Sequence, residues 1–267
     1  MFLGAYEASL AHRLRLAITA ETAVAYGFAP RPILGGKLRG QMNQAFAIEF
    51  ELEGPVIIDR GINLSGLLAR RIADAGDPDP LPKVPLLTIE GIFAGSDVFI
   101  LGPVVDYHVA YVRSLRPTAM EHDLALRDKR GRPMPQITLR DEQKNLLDSR
   151  TATAAAALVA FGTGDLAEVI RILAGLDSIG AKRSGGFGSV TGLRVTPIDH
   201  PHAGFADRAG APMRPVPVEV WRRMNLPPQP LRQRVARLPR WAAAPEPCVS
   251  PRSWAMDLDA FERELLG

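Results

Sequence analysis

The chain has 267 residues, 46% of them apolar, with 32 Lys plus Arg against 29 Asp plus Glu and a single cysteine. It is long and apolar enough for one large globular domain or two small ones, and its lone Cys248 excludes an internal disulfide or a multi-cysteine metal site. No window reaches the roughly 18 to 20 uninterrupted apolar residues of a membrane span, and Glu7 and His12 sit where a secretory signal needs an apolar centre, so a cytoplasmic protein is expected.

Residues 1–43 read as an N-terminal arm or extra strand. A short strand is expected around Arg15 to Val24, followed by RPILGGKLRG, where glycines surround Lys37 and Arg39. From Gln44 the run AFAIEFELEGPVII alternates Ile48, Phe50 and Leu52 with Glu49, Glu51 and Glu53. That is the pattern of a half-buried strand with a solvated carboxylate face, closed by Gly54-Pro55. Asn63 or Ser65 can cap the helix that follows, whose Leu64, Leu67, Leu68 and Ile72 share a face until Gly76. The segments PLLTIEGIFAG and DVFILGPVVDYHVAYVR read as two strands, with His108 a core residue of the second. Beyond them the pattern dissolves into charged, proline-containing sequence from Ser114 to Arg150, and an insertion is placed within 114–160. Asp165 caps a second helix with Leu166, Val169, Ile170 and Leu173 on one stripe, and GSVTGLRVTPI closes the series as a strand. Residues 201–267, rich in proline and arginine, predict an extended tail ending in a short helix, DLDAFERELLG.

Over 44–200 the order is strand, helix, strand, strand, helix, strand. It predicts an α+β, ferredoxin-like βαββαβ antiparallel sheet with two helices on one face. Between the second helix and the last strand lies LDSIGAKRSGGFGSVTGLRV. Glycines there permit positive φ and close backbone approach, and with Lys182 and Arg183 they predict a surface suited to phosphates. The loop follows a helix and opens a strand, the reverse of a mononucleotide P-loop, so ATP use is disfavoured. From Lys182 to Arg240 eleven Lys plus Arg face three acids, a plausible nucleic-acid footprint.

The stretch IGAKRSGGFGSV before a terminal strand resembles the glycine-rich signature of the RAMP superfamily, CRISPR-associated proteins built on ferredoxin-like RNA-recognition folds. IIDRGINLSGLLARRI and KVPLLTIEGIFAGSDVFI are similar to that family's first helix and mid-domain strand segment. Within the superfamily the chain looks most like the subunit that caps the 5′ handle of the guide RNA, in its type IV (Csf) version. The resemblance implies a non-catalytic role in the effector ribonucleoprotein, holding the 5′ handle and joining the backbone subunits to the large subunit. Guide RNA and those subunits would be partners, with target DNA engaged indirectly, no membrane, no metal and no cofactor. By position it implies RNA contacts at Lys182, Arg183, Ser184, Gly185, Gly186, Phe187 and Gly188. Lys37, Arg39, Arg113 and Arg116 are candidates from the residues alone.

Some relatives in that superfamily cleave RNA, which needs a base at the 2′-OH and an acid at the leaving oxygen, work suited to histidine. His122 in the charged insertion and His12 beside Arg13 are the candidates for this alternative, a guide-RNA-processing endoribonuclease. His200 and His202 lack the carboxylates of a metal site. Trp221 and Trp241 bracket an arginine series that would suit single-stranded RNA or a protein partner. A ferredoxin-like module for a small molecule or protein is the third class.

Overall fold

The computed structural model describes residues 43–58, 61–113, 146–239 and 242–266. The first strand, β1 (Gln44–Leu52), sends Phe46, Ile48 and Phe50 to one face and Ala47 and Glu49 to the other. Helix α1 (Leu64–Asp74) starts at Asn63, whose side-chain oxygen accepts the Gly66 amide at 2.6 Å, the N-cap that the sequence offered. A tight hairpin of β2 (Thr88–Ile89) and β3 (Ile92–Phe93) turns at Glu90-Gly91, both at positive φ, as a two-residue type I′ turn demands. The chain continues through β4 (Phe99–Leu101), the long pair β5 (Val105–Arg113) and β6 (Leu146–Ala154), and β7 (Ala157–Gly164). Helix α2 (Leu166–Leu173) is capped by Asp165, which accepts the Glu168 amide at 3.1 Å. Strand β8 (Val190–Pro197) follows. The C-terminal part holds β9 (Val216–Pro217), α3 (Val218–Arg223), β10 (Leu231–Arg234), β11 (Glu246–Val249), β12 (Ala255–Met256) and α4 (Leu258–Leu266).

The protein is mixed α+β around a mostly antiparallel five-stranded sheet in the order β12-β4-β7-β1-β8, in which only β12 runs parallel to its neighbour. One face buries Phe46, Ile48, Phe50, Leu158 and Ala160 against Leu64 and Leu68 of α1 and Val169, Ile172 and Leu173 of α2. Both helices are short and amphipathic, so their stability comes from this shared apolar layer. The opposite face, which a half-solvated sheet would leave wet, is also covered. Val159, Phe161, Phe99 and Leu101 lie under Ala203, Met213 and Phe261, and the Phe161 and Phe261 rings meet edge-on at 6.2 Å between centroids.

Three expectations fail for physical reasons. The region 85–113 is not a pair of sheet strands. Only Phe99–Leu101 of it joins the main sheet, while β5 pairs with β6 as a separate two-stranded ribbon and β7 fills the sheet position beside β1. Leu146–Ala154 and residues 157–160, assigned to the insertion, are therefore paired strand, and the small side chains of Ala157 and Ala160 let the second be buried on both faces. His108 stands exposed on that ribbon because no layer among the described residues packs over it.

The third expectation, an extended tail after residue 200, gives way to a packed unit. Trp221 is 1% exposed in a core with Phe205, Val216, Val220, Cys248 and Val249, its indole N–H donating to the Pro227 carbonyl at 2.7 Å. Arg214, also 1% exposed, donates to the carbonyls of Gly95 (3.1 Å) and Ala236 (2.9 Å), tying this unit to the segment after β3. The predicted closing helix is α4. No helix among the described residues is long and apolar enough to cross a membrane.

Candidate nucleic-acid interface

After α2 the chain turns at Gly175, buries Leu176 and Ile179, and makes a loop to the buried Gly188 in which residues 183–186 are exposed. The excursion is pinched at its base. The Ile179 amide donates to the Gly188 carbonyl at 2.8 Å, and Ser178 bridges Ser189 just below. Its flank is stitched to the segment after β1: the Ala181 amide donates to the Ile57 carbonyl (2.9 Å) and the Gly188 amide to the Pro55 carbonyl (2.8 Å). Two glycines are required by this fit. Gly180 has φ of +99° and a Cβ there would stand 2.6 Å from the Ile57 oxygen; Gly188 has φ of +67° and a Cβ would fall on the Ile179 carbonyl. The closing strand can therefore start only where the loop lies flat against residues 55–57.

Above this base Arg183–Gly185 forms one turn of 3-10 helix, entered by Lys182 in left-handed conformation (φ 58°, ψ 33°) and left through Gly186 at φ of +82°. Arg183, Ser184, Gly185 and Gly186 are all exposed, and Lys182 and Phe187 are half-buried. The glycine amides are not open donors, as the sequence suggested. Gly185 donates to Lys182 (2.8 Å), Gly186 to Arg183 (3.0 Å) and Gly188 to Pro55. The glycines shape the loop, and the tip offers a guanidinium and a serine hydroxyl, both exposed, on a preset turn.

Several arginines from Lys182 to Arg240 are engaged by other groups of the protein, in part at its surface. Arg194 reaches Glu49 (3.4 Å) and Glu51 (3.3 Å) across β1 and β8; Arg208 donates to the Asp199 carbonyl at 2.8 Å; Arg214 is buried. Arg222, Arg223 and Arg237 pair with Glu219, Glu90 and Glu246. Arg222 and Arg223 stay exposed within their pairs, as do Arg183, Arg232 and Arg234. Glu49, expected on a solvated face, is 5% exposed, and its burial pushes the carboxyl above the usual range despite Arg194.

Arg113 ends β5 opposite Leu146, and its side chain lies outside the described residues, as do Lys37, Arg39, Arg116, His12, His122 and Trp241. Trp221, one of the two rings proposed for stacking, is unavailable in its core. His200 is buried, its Nδ1 accepting the His202 amide at 3.2 Å, and among the described residues no three metal-ligating side chains converge. A groove of about 540 Å³ between α1 and α2 contains none of the loop residues. Its charges are matched, Lys83 to Asp77 and Arg171 to Glu168, while Arg71 donates to the Ala174 carbonyl at 3.1 Å. The platform at Pro55–Ile57 was missed in sequence because Gly54-Pro55 reads simply as the end of a strand. No protein-family model matches the chain, and no curated protein matches it either.

Proposed function

We propose that this protein is a non-catalytic RNA-binding subunit of a CRISPR effector ribonucleoprotein of the RAMP type, holding the 5′ handle of the guide RNA and linking backbone and large subunits in the cytoplasm. The observation that carries this is the loop at 179–188: a basic tip raised on a glycine base that no other residue type fits. Its rigidity means that Lys182 and Arg183 lose little conformational freedom when they meet phosphates, which favours a specific polyanion grip over loose surface attraction.

The ferredoxin-like reading belongs to the same proposal. Numbered by chain order, the four central strands β1, β4, β7 and β8 lie in the order second, third, first, fourth, all antiparallel to their neighbours, with α1 and α2 on one face. That order supports a split βαβ arrangement. The covered second face directs RNA away from the sheet surface and toward the loop.

The test is binding of a labelled single-stranded RNA across a salt series. Neutralising two phosphates should add roughly 1.4 to the magnitude of the log–log salt slope, since each contributes about 0.7 on single strands. Lys182→Ala with Arg183→Ala should weaken binding and flatten the slope by about that amount. Unchanged affinity and slope would remove the loop from the interface, and cleavage of the RNA in EDTA would replace the capping role by the nuclease.

A further inference from the structure

One exposed aromatic ring rests against the segment that follows the loop's platform at residues 55–57, without having any part in the contacts described so far. Trp254 keeps 42% of its surface exposed, whereas Trp221 is buried. Its backbone is fixed, because the Ile100 amide donates to the Trp254 carbonyl at 2.7 Å where β12 begins to pair with β4. One side of the indole rests against Gly61, which has φ of +62° and would bring a Cβ to 3.2 Å from the ring. The ring is thus seated on a residue without a side chain, held by a paired backbone, and still presents nearly half its surface.

The chain itself limits how far this ring stands from the loop. Ile57 accepts the Ala181 amide, and Gly61 touches Trp254. Three residues separate these two anchor points, and the four Cα–Cα steps hold the anchors within about 14 Å of each other. The neighbours of the ring in sequence are also suited to a polyanion: Arg252 is exposed two residues before it, and Ser253 between them is polar. An exposed aromatic beside a cation is the arrangement that stacks bases while phosphates are neutralised alongside.

We propose that Trp254 is a base-stacking platform for a single-stranded RNA whose phosphates are held elsewhere along the same strand at Lys182 and Arg183. This rests on the functional reading above and adds to it a contact with bases. Because stacking is indifferent to which base is presented, the contact would tolerate sequence and register the strand.

The experiment compares labelled single-stranded RNA with inorganic polyphosphate, which has the charge and lacks the bases. Trp254→Ala should weaken RNA binding about 5- to 150-fold, the range expected for loss of one stacked base, and leave polyphosphate binding unchanged. Trp254→Phe, which keeps an aromatic face on the same seat, should recover most of the RNA affinity. The Lys182→Ala, Arg183→Ala double variant should weaken both probes. If Trp254→Ala leaves RNA binding intact while the double variant loses it, the loop stands and the stacking platform is overturned. An equal loss of both probes in Trp254→Ala, or a change confined to self-association, also overturns it. Failure of the wild-type chain to bind RNA at all would overturn the functional reading itself.

Discussion

Gly186 and Gly188 stand two residues apart at similar backbone angles, yet their surroundings differ completely. A Cβ on Gly186 meets nothing within 4 Å, whereas one on Gly188 strikes the Ile179 carbonyl. Gly186→Ala should therefore cost only the left-handed backbone penalty, about 1 to 2 kcal/mol, and Gly188→Ala more than about 3 kcal/mol because the loop base must open. Denaturant titration of the two variants checks the difference. His200 gives a second residue-level prediction. The His202 amide occupies Nδ1, so the ring proton sits on Nε2, 3.6 Å from the Glu264 carboxylate. Burial, reinforced by the Arg208 guanidinium, holds the imidazole below its usual 6.5. In the unfolded chain the same ring takes up a proton near that value, so stability present above pH 6.5 is lost on acidification below it. Burial pushes the Glu264 carboxyl upward, an effect of opposite sign, so the test is a comparison: melting temperature against pH should fall less steeply below 6.5 in His200→Gln than in the wild type.

At the scale of elements, the C-terminal region decides whether the protein is a sheet with a loose appendage or a body with two covered faces. Burial pushes the Cys248 thiol up to about 11 within the core that holds Trp221. The native thiol should resist alkylation at pH 8 and react at once in denaturant. Trp221→Ala should cost about 3 to 5 kcal/mol and expose Cys248 to the reagent. If Cys248 reacts freely in the native wild type, the packed unit is wrong. Helices α1 and α2 and strand β1 were legible in the sequence because each carries its own signal: Asn63 and Asp165 as caps, Ile48, Phe50 and Leu52 as a period-two face. The tail was illegible because prolines and arginines mark extended chain on average. What folds it is non-local: Arg214 meeting carbonyls from Gly95 and Ala236, and Trp221 meeting Cys248 and Val249. Glu49 was misjudged for the same reason, since strand alternation locates its face and says nothing of Arg194 on the neighbouring strand or of what covers both.

At the scale of the whole molecule, the layered cores leave few places among the described residues where a polyanion can be held. Both faces of the main sheet are occupied, the groove between the helices has its charges matched, and Arg194, Arg222, Arg223 and Arg237 pair with carboxylates while Arg208 and Arg214 donate to backbone carbonyls. The candidate loop was visible in sequence as glycines around a dibasic pair. Its mechanism was not, because the amides of Gly185, Gly186 and Gly188 turn out to fasten the loop to itself and to Pro55. The central claim is that the tip of this loop contacts RNA while its base stays a rigid mount. Hydrogen exchange measured with and without single-stranded RNA tests it most directly, because it reads each part of the loop separately. The account predicts new protection at Arg183 and Ser184 with little change at Ile179 and Gly188, which are hydrogen-bonded already. Protection elsewhere on the protein, with no change across 180–188, would contradict it.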